Sequence, residues 1–286
     1  MADTSTTTLT TLIGNEAAFP NLTAVQPGEA IPTALVMDCT TVMAEIEGDE
    51  PTARIAYAGD AAASIVKEGA PIATDTPTIS ELVVSTQKVA VLTVVSRESY
   101  SHAGVAEMLG NGIGRGIIKK ADALFFTGNP TGGKGIKGLS KMTGLADGGT
   151  LSSDLTPIID AIATVSGNGG NPTHIIMNMA SWAHLLKLKA ADGRPLINPD
   201  VANSTQPQLF GLPVRINAQC PANEIYIIDR DEIISAVGDV LTDVSRERYF
   251  DSDSVGIRAT FRYGFGLLHA NRIAKTTITT ATVGTE

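Results

Sequence analysis

The chain has 286 residues, 43% of them hydrophobic and 18% charged, with a formal net charge of −9. Such a length and composition describe an ordered protein with a sizeable core, in one elaborate domain or two smaller ones, and exclude a minimal module. The acidic balance disfavours nonspecific attraction to nucleic acid, no apolar run approaches the ~18 residues of a membrane span, and Cys39 and Cys220 are too few for a disulfide framework or a metal cluster.

Residues 1–34 are rich in Thr, Ala and turn residues without a sustained period, which predicts an extended arm with little structure of its own. The opening MADTSTTTLTTLIG lacks the positive region of a secretory signal, so synthesis in the cytosol is expected. Residues 1–53 hold eight carboxylates and no Lys or Arg, whereas Arg115 to Lys141 carries six basic residues against Asp122 alone. That asymmetry predicts either an acidic arm reaching a basic patch on a neighbouring subunit or two solvated faces of unlike sign. The short apolar segment from Ala34 to Met43 suits strand or helix.

Between Ala53 and Ser85, two short alternating runs flank a loop holding Gly59, Asp60, Gly69, Pro71, Asp75 and Pro77, the pattern of a long β-hairpin. Its few large apolar residues cannot bury much surface alone, so it is expected to project and to be supported by another subunit. Thr86 to Arg97 is strand by its β-branched content and leads straight into the stretch that organises the chain. From Glu98 to Phe125, apolar residues including Val105, Leu109, Ile113, Ile117, Ala121 and Phe125 recur at three- and four-residue steps, predicting a helix ~42 Å long at ~1.5 Å per residue. Gly104, Gly110, Gly112, Gly114 and Gly116 lie inside that pattern, each costing about 1 kcal/mol relative to Ala. Packing must hold such a helix together, and the missing side chains predict a second backbone close against it.

Further along, Thr156-Pro157 predicts a helix opening as a cap followed by a first-turn proline, with Ile158, Ile159, Ile162 and Val165 as its apolar face and Gly167 to Gly170 as its end. THIIMN is a buried strand and MASWAHLLKLKAAD a helix. LFGLPVRIN and EIYIIDRDEIISAV add strands, and the tail from Arg246 to Ala281 alternates as strands returning to a sheet.

Candidate chemistry is sparse. Gly128 to Gly135 (GNPTGGKG) fits a phosphate-binding P-loop except at Gly135, where Ser or Thr is needed for magnesium. A helical pattern precedes it where a strand is required, so a turn with an exposed lysine is the preferred reading. His102, His174, His184 and His269 are scattered, and no H-x-x-x-H or G-x-S-x-G pattern occurs. The pairs Asp229 with Asp231 and Asp251 with Asp253 sit in turn contexts. An enzyme is therefore the weaker class; no catalytic, metal or cofactor-binding residue is assigned.

Read together, several strings resemble the major capsid proteins of tailed bacteriophages with the Hong Kong 97 (HK-97-like) fold. IVKEGAPIATDTPTISELVVSTQKVAVLTVVSRE is similar to that family's descending hairpin strand and the strand entering its spine helix. KKADALFFTGNPTGGKGIKGL is similar to its end-of-helix signature. THIIMNMASWAHLLKLKAADGRPLI, LFGLPVRI and IYIIDRDEIISAV resemble its axial domain, and DSDSVGIRATFRYGFGLLHANRIAK its closing peripheral strands.

The resemblance implies an α+β fold in four parts: an N-terminal arm (1–34), a peripheral domain with the spine helix (35–52, 81–130 and 244–286), an extended E-loop (53–80) and an axial domain (131–243). It implies a non-enzymatic protein that self-assembles as pentamers and hexamers into the icosahedral head of a tailed phage enclosing double-stranded DNA. Portal, a separate scaffolding protein and a decoration protein are the implied partners, with no membrane and no cofactor, in the virion after assembly in the bacterial cytoplasm. Acidic charge suits a wall around packed DNA, because a strongly phosphate-binding lining would impede filling and release. The residues expected at inter-subunit contacts are Arg54, Lys67 and Glu68 on the E-loop and Arg115, Lys119 and Lys120 on the spine.

Three departures from the family pattern stand out. The fold begins within a few tens of residues of Met1, which implies a separate scaffolding protein or none. Val66-Lys67 stands where an aromatic usually precedes the E-loop Glu-Gly. Lys67 is the only E-loop lysine, and its position does not support the isopeptide crosslinking of some relatives. The second reading within the fold is an encapsulin-type compartment storing a cargo enzyme. A P-loop nucleotide-binding enzyme is the reading from another class.

Overall fold

The computed structural model describes residues 22–25, 30–46, 50–58, 65–69, 79–102, 104–130, 135–152, 154–189, 193–197 and 207–279. Its longest strand organises the first sheet. β13 (Ser254–Leu267) pairs antiparallel with β5 (Gln87–Ser96) and, on its other edge, with β12 (Val240–Tyr249) and then β11 (Ile233–Val237). β2 (Thr41–Glu45) adds parallel to β11, and β1 (Leu22–Val25) antiparallel to β12. Strand alternation sends Val89 and Val91 of β5 and Ile257, Ala259, Phe261, Tyr263 and Phe265 of β13 to one face. There they meet Ile113, Ile117, Ala121 and Phe125, which are at most 3% exposed. These four come from the apolar stripe of the spine helix.

That helix is shorter than its pattern. α1 (Leu35–Asp38) precedes it, and α2 (Arg97–Ser101) is a separate turn capped by the Ser96 hydroxyl, which accepts from the Ser99 amide. His102 is extended and Gly104 takes φ +86° before α3 (Val105–Thr127) begins. Of the five glycines in the pattern, Gly104 alone adopts a positive φ, and the helix breaks there. Among the described residues no second backbone lies against Gly112, Gly114 or Gly116. A Cβ at Gly114 would meet nothing within 4 Å, one at Gly112 only the Arg115 side chain at 4.0 Å, and one at Gly116 only Val91 at 3.9 Å. The helix meets the first sheet mainly through the large residues Ile113 and Ile117.

The second sheet runs β6 (Ala146–Leu151), β14 (Ala274–Ile278), β10 (Glu224–Ile228), β7 (His174–Met177), β9 (Leu212–Ile216), β8 (Gln208–Leu209). On one face lie α4 (Thr156–Gly167), through Ile158, Ala161 and Val165, and α5 (Met179–Lys187), through Trp182 and Leu185. Thr156 is the first helical residue and not the cap; Leu155 holds the cap position, and the Thr156 hydroxyl turns aside to Asp154 at 3.1 Å. The predicted end is as expected: Gly169 at φ +81° lets the Gly170 amide reach the Val165 carbonyl at 3.0 Å.

Strand membership departs from the expected division at residue 243. β11 and the start of β12, expected in the axial part, lie in the first sheet, and β14, expected in the peripheral part, lies in the second. The cause is that the chain passes from one sheet to the other between β10 and β11 and again between β13 and β14. The predicted arm is also partly anchored. Leu22–Val25 pairs with β12, and Ile31 and Ala34 are fully buried against the first core. Residues 1–21 and 26–29 of that stretch lie outside the described residues.

Candidate functional site

The hairpin forms as the alternating runs predict, with β3 (Thr52–Ala58) antiparallel to β4 (Ile79–Ser85) from Thr52 opposite Ser85 to Ala58 opposite Ile79. Its paired strands do not stand clear of the molecule. Ala53, Ile55, Leu82 and the fully buried Val84 turn inward onto Ile46, Ala44 and Ala236. Glycines in β13 permit this crossing: a Cβ at Gly264 would lie 2.3 Å from the Ser85 carbonyl oxygen, and one at Gly266 3.2 Å from the Leu82 side chain. The projecting hairpin is thus corrected for its strands; residues 59–64 and 70–78 lie outside the described residues.

Its other face is open. Ile79 is 78% and Val83 52% exposed, and beside them Arg54 pairs with Glu81 at 3.5 Å in solvent. Glu81 escaped the sequence reading, although a diagonal cross-strand position opposite a basic residue is a legible signal once the register is known. Lys67 and Glu68 are both exposed, ahead of Gly69 at φ +78°. The next group lies on α3, where Arg115, Lys119 and Lys120 face solvent, and among the described residues none has an ion-pair partner. Asp122, the one acid of that basic run, is 3% exposed and so leaves the surface uncompensated. No hydrogen bond or ion pair joins the hairpin group to the α3 group within the protomer, among the described residues.

Asp122 serves the interior. Its Oδ1 accepts from the Leu35 amide at 2.9 Å, satisfying the first free N–H of α1, whose cap residue Ala34 offers no side-chain acceptor. Its Oδ2 accepts from Asn217 Nδ2 at 2.7 Å, beyond the second sheet's β9. Desolvation by burial pushes the carboxyl above its ordinary value, and the two hydrogen bonds partly offset this. Nearby, Arg215 reaches Asp38 at 2.6 Å and Arg230 Nε donates to the Thr40 carbonyl at 3.1 Å. One carboxylate and two guanidinium groups thus tie α1 to both sheets.

These polar groups are structural in character. Burial pushes the Cys39 and Cys220 thiols well above their ordinary range, which withholds the reactive thiolate. Asp229, of the pair with Asp231, accepts from the Asn171 and Asp231 amides, and Asp253 bridges Arg97 at 2.8 Å. In the P-loop-like string, Gly128 packs so that a Cβ would lie 2.6 Å from the Ile136 carbonyl oxygen. After it comes only a 3₁₀ turn, Leu139–Lys141, and not the helix whose N-terminus would hold a phosphate; residues 131–134, Lys134 included, lie outside the described residues. Among the described residues no group of three or more His, Cys, Asp and Glu side chains is placed to hold a metal ion.

The fold thus presents a hairpin closed on one face and open on the other, a long helix with an exposed basic face, and two sheets joined by chain segments that cross between them. Solved structures agree on the architecture. The capsid of an empty GTA particle matches with a TM-score of 0.67 at 19% identity, over 87% of this chain and 90% of that one. Structures from Mycobacterium phage Bobi (TM-score 0.67, 15% identity, 93% and 94% covered) and Gordonia phage Cozz (0.65, 15%, 87% and 87%) are similar in the same way. No curated protein matches the sequence. The model of the phage capsid family matches residues 30–278, and the chain belongs to that family. It has the HK-97-like α+β fold and is a major capsid protein of a phage head.

Proposed function

We propose that the chain assembles as pentamers and hexamers of an icosahedral head that encloses double-stranded DNA without reading its sequence, and that it performs no catalysis. Family membership over residues 30–278 carries this reading. Portal, a separate scaffolding protein and a decoration protein are its proposed partners, with assembly in the host cytoplasm. The hairpin around Arg54, Lys67 and Glu68 acts as the E-loop and the Arg115, Lys119 and Lys120 face of α3 as a second contact. The division proposed from the sequence is adjusted so that Ile233–Leu267 falls with the peripheral part and β14 with the axial part.

Two features support the inter-subunit roles. A two-stranded sheet with Ile79 and Val83 in water is marginal by itself, and identical copies in a closed shell supply the missing cover. Charges left uncompensated on α3 suit electrostatic registration against a neighbour. Native mass measurement on the purified chain tests the assembly directly: a megadalton particle is expected, and a stable 29.7 kDa monomer at high concentration would overturn it. Nuclease-protected DNA inside particles from infected cells distinguishes a phage head from a compartment filled with a cargo enzyme.

A further inference from the structure

β10 and β14 pair in the second sheet, β11 and β13 in the first, and both couples are antiparallel. Because β10 leads into β11 and β13 into β14, the four segments make one two-stranded ribbon running through both sheets. Its pairing passes from Ile227 opposite Ala274 to Ile233 opposite Leu267, six residues along one strand and seven along the other. At that slip each strand makes a single 3₁₀ turn, Arg230–Glu232 on one and Ala270–Arg272 on the other.

One carboxylate bridges the two turns. Glu232, 7% exposed, accepts from Arg272 Nη1 at 2.5 Å and faces His269 Nδ1 at 2.8 Å. The same residue's carbonyl accepts from the Leu268 amide at 3.0 Å, and Arg272 Nε reaches the Asn168 carbonyl at the end of α4 at 3.1 Å. The outer side of this knot touches the hairpin: the Tyr57 ring of β3 stands edge-on to the His269 ring, centroids 6.1 Å apart at 84°. A third element therefore rests on the point where the ribbon changes sheet.

We propose that His269 couples the seating of the hairpin to the junction between the two sheets, with Tyr57 as the contact that transmits it and Glu232 as the clamp it acts upon. Tyr57 and Glu232 act as positioning residues, and their effect is to hold one relative setting of hairpin and ribbon. A hairpin engaged by another copy thereby biases the angle between the sheets, and the reverse holds by linkage. The physical basis is the packing of the Tyr57 ring against His269, which is itself paired with the clamp carboxylate of Glu232.

The coupling is a property of the single full-length chain, so its test stands apart from the capsid reading. Amide hydrogen exchange is measured on unassembled protein for wild type, Tyr57→Leu, Tyr57→Phe and Glu232→Gln. Removal of the ring in Tyr57→Leu is expected to speed exchange about three- to tenfold at Leu268 and the amides flanking both turns, the change an edge-on ring contact supports. Glu232→Gln raises the same set, Tyr57→Phe keeps wild-type rates, and Arg54→Ala on the same strand leaves the junction unmoved. Unchanged junction exchange in Tyr57→Leu, or a uniform rise over the whole chain, overturns the proposal. Should Tyr57→Leu fail to fold, wild-type rates in Tyr57→Phe together with unaltered junction rates in His269→Leu overturn it equally.

Discussion

β7 and β4 are both short, β-branched strands, and the protomer treats them differently. Ile175 and Met177 of β7 pack under α4 and α5 while Ile176 joins the first core with Tyr226 and Ile228, and all three are fully buried. In β4, Val84 is fully buried on one side, but Val83 and Ile79 on the other are left in water. The second sheet has found a cover for both faces within its own chain; the hairpin has found one. What separates them is available partners, since the local propensities of the two strands are alike. A chain that completes one sheet and half-completes another leaves apolar surface that meeting copies would cover.

The comparison breaks most sharply in the closed region. Ile175→Ala removes buried methylenes where α4 prevents collapse, and a loss of about 2–5 kcal/mol is expected in urea unfolding of the full chain. A loss below about 1 kcal/mol would mean that the second sheet is as loosely covered as the hairpin.

A smaller effect is expected between the regions, at Asp122. Asn217 and the Leu35 amide both donate to it, so Asp122→Asn turns an amide NH₂ toward one donor and costs about 1–3 kcal/mol at neutral pH. The pH signature is more specific. Burial raises the folded-state value, so the native state holds its proton more tightly than the unfolded chain. The Asp122 contribution is fully present below the ordinary carboxylate value and is lost as pH rises through the raised one. Between the ordinary and the raised carboxyl values the urea midpoint of wild type is expected to fall with rising pH relative to that of Asp122→Asn, which lacks the falling component, so the two differ most in acid and approach each other as pH rises; parallel profiles would show that the carboxyl is not buried as described.

Much of this was open to reading from residue order. Alternation located β3, β4, β5 and β13, three- and four-residue spacing located α3, and glycines located the end of α4. Where the reading failed, the deciding quantity was a distance between segments far apart in sequence. Nothing local to Gly104 distinguishes it from Gly112 or Gly116, yet Gly104 alone takes the positive φ at which the helix breaks. Gly264 and Gly266 read as ordinary strand alternation, and their use as the crossing point for β4 depends on a segment roughly 180 residues earlier. Asp122 reads as one acid diluting a basic run until its burial shows that it cannot. Likewise the exposed set Arg115, Lys119 and Lys120 was legible as a charge pattern, while the Glu81 partner of Arg54 required the register.

The smallest expected change in the protomer is also the one that tests the open region. Val83 contributes little to its own chain at 52% exposure, so Val83→Asp should shift the urea midpoint by no more than the ~0.5 kcal/mol usual for surface substitutions. Lys67→Glu, on a side chain in full solvent, should shift it no further. In an assembly the same sites recur in every subunit, and a carboxylate carried into a dry contact opposes each of them with an uncompensated desolvation cost. Particle yield by sedimentation is therefore expected to fall severalfold in Val83→Asp while monomer stability is retained, and less in Lys67→Glu, whose charge stays accessible to water. Unchanged yield in both would place the cover of the hairpin's outer face elsewhere than in a neighbouring copy, and would leave Ile79 and Val83 as the exposed apolar residues of a chain whose assembly runs through α3 instead.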